Sequence, residues 1–243
     1  MSQKKSGQLF VKDKHGAPVV FEWFKTSIVS KDFAVAMKDT WSFARNAYTP
    51  VEMQFLKAFP DVVGKEPYFK QFEPLFASRV ENVDWNAAEG IMEEILQGHF
   101  VFDPTQLPEE IIKTYENDNA FFVTAKDQAA DKTIGFITFL IGANYAVGDV
   151  KVFAFAVDVA HQKRGLGKLL MSSIFKIIPD IKRILLATRV TNDIALKAYG
   201  SWGFGKDENP IVDHDFKLDH WLYMEYKVEH VHTLQNVAAG LLD

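Results

Sequence analysis

The stretch Phe155-Ala-Val-Asp-Val-Ala-His-Gln-Lys-Arg-Gly-Leu-Gly-Lys168 gathers the residue types that hold an anion. An apolar run enters a loop with glycines at 165 and 167, and a helical pattern opens directly behind it. The first N–H groups of a helix lack intrahelical partners, and the helix dipole adds positive potential there. Glycine lets a phosphate approach the backbone, while Lys163, Arg164 and Lys168 add charge. The pattern suits a pyrophosphate, but it is neither Gly-Lys-Ser/Thr nor G-x-G-x-x-G. A strand–helix turn that packs tightly and binds nothing satisfies the same residues.

The elements that must position this loop follow from periodicity. Residues 8–12 and 18–24 read as a hairpin around Lys14-His15-Gly16. Ser30 can cap a helix over 31–46, and Thr49-Pro50-Val51-Glu52 carries the start signals of a second helix. Further helices are expected at 67–79, 84–97 and 108–116, so that 30–117 is helix and connecting loops. Residues 120–125 and 133–141 then form an antiparallel hairpin. Residues 150–157 read as a strand covered on both faces. A helix over 165–178 is expected to carry Lys168, Ser172 and Lys176 as a polar stripe, and Pro179 ends it. Another buried strand, 184–190, precedes a helix capped by Asn192 at its start and Gly203 at its end. A last strand, 221–228, leads into a short tail. The order predicts a mixed α/β fold with one parallel crossover between the strands at 150 and 190.

Asn192-x-x-Ala195-x-x-x-Tyr199-x-x-x-Gly203-Phe204 follows the anion-type loop at the distance of one strand. Together with Gln162-x-x-Gly165-x-Gly167, this series resembles the GNAT superfamily of acyl-CoA-dependent N-acyltransferases, over about residues 120–227. The resemblance implies a central mixed, mostly antiparallel sheet with helices on both faces, here enlarged by the helical segment 30–117 within a single domain of residues 1–243. It implies that Gln162, Lys163, Arg164, Gly165, Leu166, Gly167 and Lys168 cradle the pyrophosphate of coenzyme A. The strand before that loop would splay from its neighbour, leaving backbone groups near Val157 and Val159 for the pantetheine arm and the thioester carbonyl. Asn192 becomes a cofactor or acceptor contact, and Tyr199 the residue that protonates the departing thiolate. A core tyrosine on an amphipathic helix fits the same position. Val159 stands where many members have proline. Lys151 stands where some have a glutamate base, which leaves the base unassigned among Asp149, Asp158, His161, Glu225 and water.

Composition bounds the alternatives. The chain has 243 residues, a formal charge of −5 and no cysteine, which excludes disulfide frameworks, zinc–thiolate sites and a cysteine nucleophile. No apolar stretch approaches the ~20 residues of a membrane span, and the first residues do not read as a secretory signal, so a cytoplasmic protein without nucleic-acid or membrane partners is expected. Charge is unevenly spread: +4 over residues 1–50, −8 over 51–117, −2 over 118–160, +7 over 161–206 and −6 over 207–243. The basic block coincides with both motifs.

The expected activity is transfer of an acetyl group from acetyl-CoA to a primary amine by direct attack, without a metal. The alternative is a CoA-binding or acyl-CoA-sensing module without catalysis. The acidic flanks suggest a cationic acceptor, either a small molecule such as a polyamine or a peptide amine. Segment 30–117 could shape that pocket, cover it, or form a homodimer contact. His230 and His232 could pair on a metal, and Asp213-His-Asp215 could line the acceptor pocket, but a surface strand end and a polar loop account for them better.

Overall fold

The computed structural model describes residues 6–25, 31–65, 67–76, 83–100, 120–141, 146–211 and 219–241. Its strands are β1 (Ser6–Lys12), β2 (Pro18–Lys25), β3 (Ala120–Asp127), β4 (Lys132–Ile141), β5 (Asp149–Val157), β6 (Arg183–Arg189), β7 (Gly205–Lys206) and β8 (Trp221–Lys227). They form one sheet in the order β1-β2-β3-β4-β5-β6-β8-β7. Every neighbouring pair is antiparallel except β5–β6. The expected mixed, mostly antiparallel sheet with one parallel crossover is therefore observed. The expected helix at 108–116 and the Asp213–Asp215 loop lie outside the described residues.

The helices are α1 (Lys31–Ala58), α2 (Glu73–Phe76), α3 (Trp85–Phe100), α4 (Leu166–Ile177), α5 (Asp193–Trp202) and α6 (Thr233–Ala238). Successive strand residues point to opposite faces, and the sheet uses both. Phe121, Val123 and Ala125 join the main core beneath α4, whereas Phe122, Phe136 and Ala156 pack against Phe43 and Ala44 of α1. A second helical core surrounds Phe55, Leu56, Phe69, Phe72 and Met92.

Four expectations change. The break at Thr49-Pro50 is absent, and α1 runs through Pro50 as one helix of 28 residues. An interior proline costs about 3 kcal/mol. Here Phe43 and Ala44 before it, and Met53, Phe55 and Leu56 after it, are all buried, so packing on both sides holds the axis together. Residues 67–79 are not one helix: a 3-10 turn at Pro67–Phe72 passes into the single turn of α2. Ser172 is not on a solvated stripe but fully buried. The fourth difference is α6, which replaces the expected tail and lies on α4 with Leu234 fully buried.

Pairing between β5 and β6 stops early. Only Asp149, Val150 and Lys151 face Arg183, Ile184 and Leu185. Beyond them β5 stays on β4 to Val157, after a bulge at the level of Phe139, while β6 stays on β8 to Arg189. The two strands diverge, as the family resemblance implied. Helix α1 bridges the gap from its buried face. The Tyr48 hydroxyl accepts from the Phe155 N–H and donates to the Phe155 carbonyl, both at 3.1 Å. One turn later, Glu52 takes Arg189 of β6.

Tyr48→Phe leaves two half-buried backbone groups of Phe155 without their partner. We expect a loss of about 2 kcal/mol in urea-induced unfolding, and a change below 0.5 kcal/mol would show that the hydroxyl does not brace β5.

Candidate active site

The loop after β5 begins with Asp158, whose carboxylate accepts from Ala160 N–H and caps the short 3-10 turn Val159–His161. The Gln162 side chain turns back and donates to the Val157 carbonyl at 3.2 Å. Of the backbone groups near Val157, that oxygen is thus held by the protein itself. Lys163 and Gly165 adopt left-handed backbone, with φ of 62° and 80°. Residue 165 is glycine for its conformation, because a Cβ there would meet only Lys14 Cβ at 3.8 Å. Gly165 is the residue before α4 and supplies no side-chain cap, so the N–H groups of Leu166, Gly167 and Lys168 have no intrahelical acceptor. Leu166 itself is buried in the core and can contribute only its backbone. Gly167 is needed for a different reason: a Cβ would lie 3.1 Å from Phe155 Cζ and 3.2 Å from Trp202 Cη2.

Arg164 differs from the expectation that it adds free charge. Its Nε donates to the Asp13 carboxylate, and its carbonyl accepts from Lys14 N–H at 3.0 Å. The β1–β2 turn therefore clamps the loop. Burial works to raise the Asp13 carboxyl, but the guanidinium and the N–H groups of Ala17 and His15 outweigh it and hold the group below its ordinary value. Lys163 remains exposed and Lys168 half-buried at the helix start.

On the far side of the cleft, Asn192 caps α5 by accepting from Ala195 N–H, and its amide donates to Thr188 Oγ1 at 3.2 Å. Gly203 ends the helix at φ 102°. Tyr199 is buried, with its ring 6.4 Å from Phe155, 5.5 Å from Trp202 and 5.6 Å from Phe204. Burial, with a smaller contribution from nearby Tyr48, pushes its phenol well above the usual range, so it stays protonated. Its ring thus reaches the residue, Phe155, at which β5 has left β6.

Of the candidate bases the three carboxylates are ion-paired, whereas His161 Nδ1 is buried without a hydrogen bond among the described residues. Asp149 pairs with Arg183, whose other nitrogen lies 3.3 Å from Glu225, and Glu225 also holds Lys227 at 2.7 Å. Asp158 pairs with Lys132 at 3.1 Å and lies 3.3 Å from His161 Nδ1. Its carboxyl is held low: burial opposes, but Lys132 and the Ala160 N–H prevail. Lys151 is buried, with Nζ 5.1 Å above the Tyr223 ring. His230 lies beside Glu229, and His232 precedes α6. Among the described residues no group of three His, Asp or Glu side chains is placed to hold a metal, and no helix is long and apolar enough to cross a membrane.

Three polar side chains at the cleft had no sequence signal: Tyr48, Glu52 and Arg189. Glu52 stood out only as part of a helix-start pattern. Their partners lie 107 and 137 residues away, and no local spacing announces such pairs.

Known proteins resemble this chain in sequence pattern and in fold. Residues 88–204 match the model of the Acetyltransferase (GNAT) family. Among solved structures, the PaiA N-acetyltransferase from Thermoplasma acidophilum in complex with coenzyme A is 17% identical, with a TM-score of 0.50 over 85% of this chain and 98% of that one. The ribosomal-protein-S5-alanine acetyltransferase from Vibrio fischeri is 12% identical, with a TM-score of 0.48 over 88% and 94%. No curated protein sequence matches the chain. Residues 88–204 are therefore similar to the Acetyltransferase (GNAT) family, and the fold is that of GNAT N-acetyltransferases.

The Asp13 clamp yields a signed pH effect. A carboxyl lowered on folding adds stability above its unfolded value, near 3.8, and loses that contribution as pH falls through the lowered folded value. Asp13→Asn should therefore melt below wild type at pH 7, and the difference should shrink as pH drops below 3.8. A gap that stays constant from pH 7 to pH 2.5 would remove the clamp from the account.

Proposed function

We propose that the protein transfers an acetyl group from acetyl-CoA to a primary amine, by direct attack on the thioester. One observation carries this reading: β5 parts from β6 at Lys151 and runs into the left-handed turn at Gly165, with the buried Tyr199 ring at the mouth of the gap. In this reading the open helix start at Leu166–Lys168, with Lys163, takes the pyrophosphate. The pantetheine lies beside β5 towards Val157 and Val159, where Tyr48 already holds the Phe155 groups and Gln162 the Val157 carbonyl. Asn192 reaches the cofactor only if its capping bonds relax. The site residues belong to one domain of residues 1–243, in which 30–117 forms the acceptor side and 120–227 the CoA-binding core.

Tyr199 is the proposed proton donor. Its raised pKa makes the phenol a reluctant acid in water. The expelled thiolate, however, forms in the same desolvated space, where its own charge is equally disfavoured. With Asp149, Asp158 and Glu225 ion-paired, the amine is taken to lose its proton to water or to His161. Those same ion pairs favour a second reading, in which the chain binds acyl-CoA without transferring the group. The amine acceptor is a small molecule or a peptide terminus, and the protein works in the cytoplasm.

Titration calorimetry with acetyl-CoA should show binding in the micromolar range typical of enzyme substrates, and Gly165→Glu should abolish it. Tyr199→Phe should keep that affinity within about threefold and lower kcat by 10²-fold or more. Binding with no thiol release from any amine would support the second reading. Absence of binding would end both.

A further inference from the structure

Arg189 stands across the gap between β5 and β6 from Phe155. Four residues beyond Lys151, the last paired residue of β5, lies Phe155; four residues beyond its partner Leu185 lies Arg189. The two therefore stand at about the same level on opposite banks of the gap. Arg189 Nε donates to Glu52 Oε1 at 3.2 Å and Nη2 donates to Oε2 at 2.9 Å. The guanidinium carbon lies 4.0 Å from the Phe55 ring centroid, 4.3 Å from that of Trp221 and 5.7 Å from that of Phe69. The side chain is 6% exposed. Among the described residues Nη1 is buried and meets no acceptor, and Thr49 Oγ1, one turn before Glu52, is buried without a hydrogen-bond partner.

A guanidinium is a planar fork of five N–H donors and no acceptor. Glu52 satisfies one edge and neutralises the charge; the aromatic rings can occupy its faces but accept no strong hydrogen bond. What remains is a donor edge, already stripped of bulk water, that suits an oxygen atom. A second carboxylate there would leave an uncompensated negative charge among aromatic rings, which is strongly disfavoured. A neutral carbonyl oxygen brings no such charge, and the Thr49 hydroxyl can donate to it or accept from its amide.

We propose that Arg189, braced by Glu52, recognises a carbonyl oxygen of the acceptor through Nη1, so that the acceptor is an amine bearing a neighbouring amide, as in a peptide N-terminus or an amino-acid amide. This deepens the acyl-transfer reading and rests on it. The Arg189–Glu52 pair cancels its own charge, so it selects for the carbonyl and not for the acidity or basicity of the rest of the molecule.

The experiment compares alanine amide with isopropylamine, which has a methyl group in place of the carboxamide. Thiol release from acetyl-CoA is measured in wild type and Arg189→Lys, with kcat/KM expressed per unprotonated amine. Wild type should prefer alanine amide at least tenfold. Arg189→Lys keeps the charge but not the fork; it should cut the preference below threefold through KM for the amide, with acetyl-CoA affinity by calorimetry unchanged. Equal use of the two amines by wild type overturns the assignment, and this arm needs no variant if Arg189→Lys does not fold. An equal fall in kcat for both amines in the variant also overturns it, by placing Nη1 on the thioester oxygen. If acetyl-CoA binds and a plain polyamine such as spermidine is acylated in preference to the amide, acyl transfer stands and this inference fails. If acetyl-CoA binds and no amine is acylated, the acyl-transfer reading fails and carries this inference with it.

Discussion

The structure depends on a parting of two parallel strands that would otherwise pair. β5 and β6 hold three residues in register and then separate, which leaves unpaired backbone edges inside a sheet. Such edges are costly when they are buried and unmet. The fold meets them from one helix. Tyr48 answers both polar groups of Phe155, and Glu52, one turn on, fixes Arg189 on the opposite strand. Adjacent turns of α1 therefore span the gap, and the helix must run unbroken across it despite Pro50. The long N-terminal helix is part of the cleft and not an ornament beside it.

A second constraint operates at the other end of β5. The loop that enters α4 is shaped by two left-handed residues and pinned by the buried Asp13–Arg164 pair. This pair couples the outermost hairpin of the sheet to the loop at its centre. It also changes the meaning of the basic block over 161–206. Arg164, Arg183 and Arg189 are each committed to a carboxylate, so much of the +7 is internal compensation. The cations left at the helix start are lysines, whose flexible ammonium groups suit a mobile phosphate chain.

Much of this was legible because its causes are local. Asn192 and Gly203 announce a helix start and a helix end, and each is found in that role. Apolar runs and the polar turns between them located the seven longer strands to within two residues at each end, but not β7. Pro50 misled because a start signal and an interior proline look alike until the packing on both sides is known. Ser172 misled because its burial comes from tertiary packing, which helical spacing alone does not reveal. Tyr48, Glu52 and Arg189 were silent because their pairings span more than 100 residues, and the tertiary fold alone brings them together.

The central claim is that the open edge of β5 and the first turn of α4 form a coenzyme A site. Hydrogen exchange read by mass spectrometry, with and without coenzyme A, tests it without assuming any chemistry. Amides in the segment 155–169 should slow by at least tenfold on addition of coenzyme A, while α3 and the β1–β2 hairpin outside its turn stay unchanged. Unaltered exchange in 155–169, or protection confined to the helices before β3, would contradict the account.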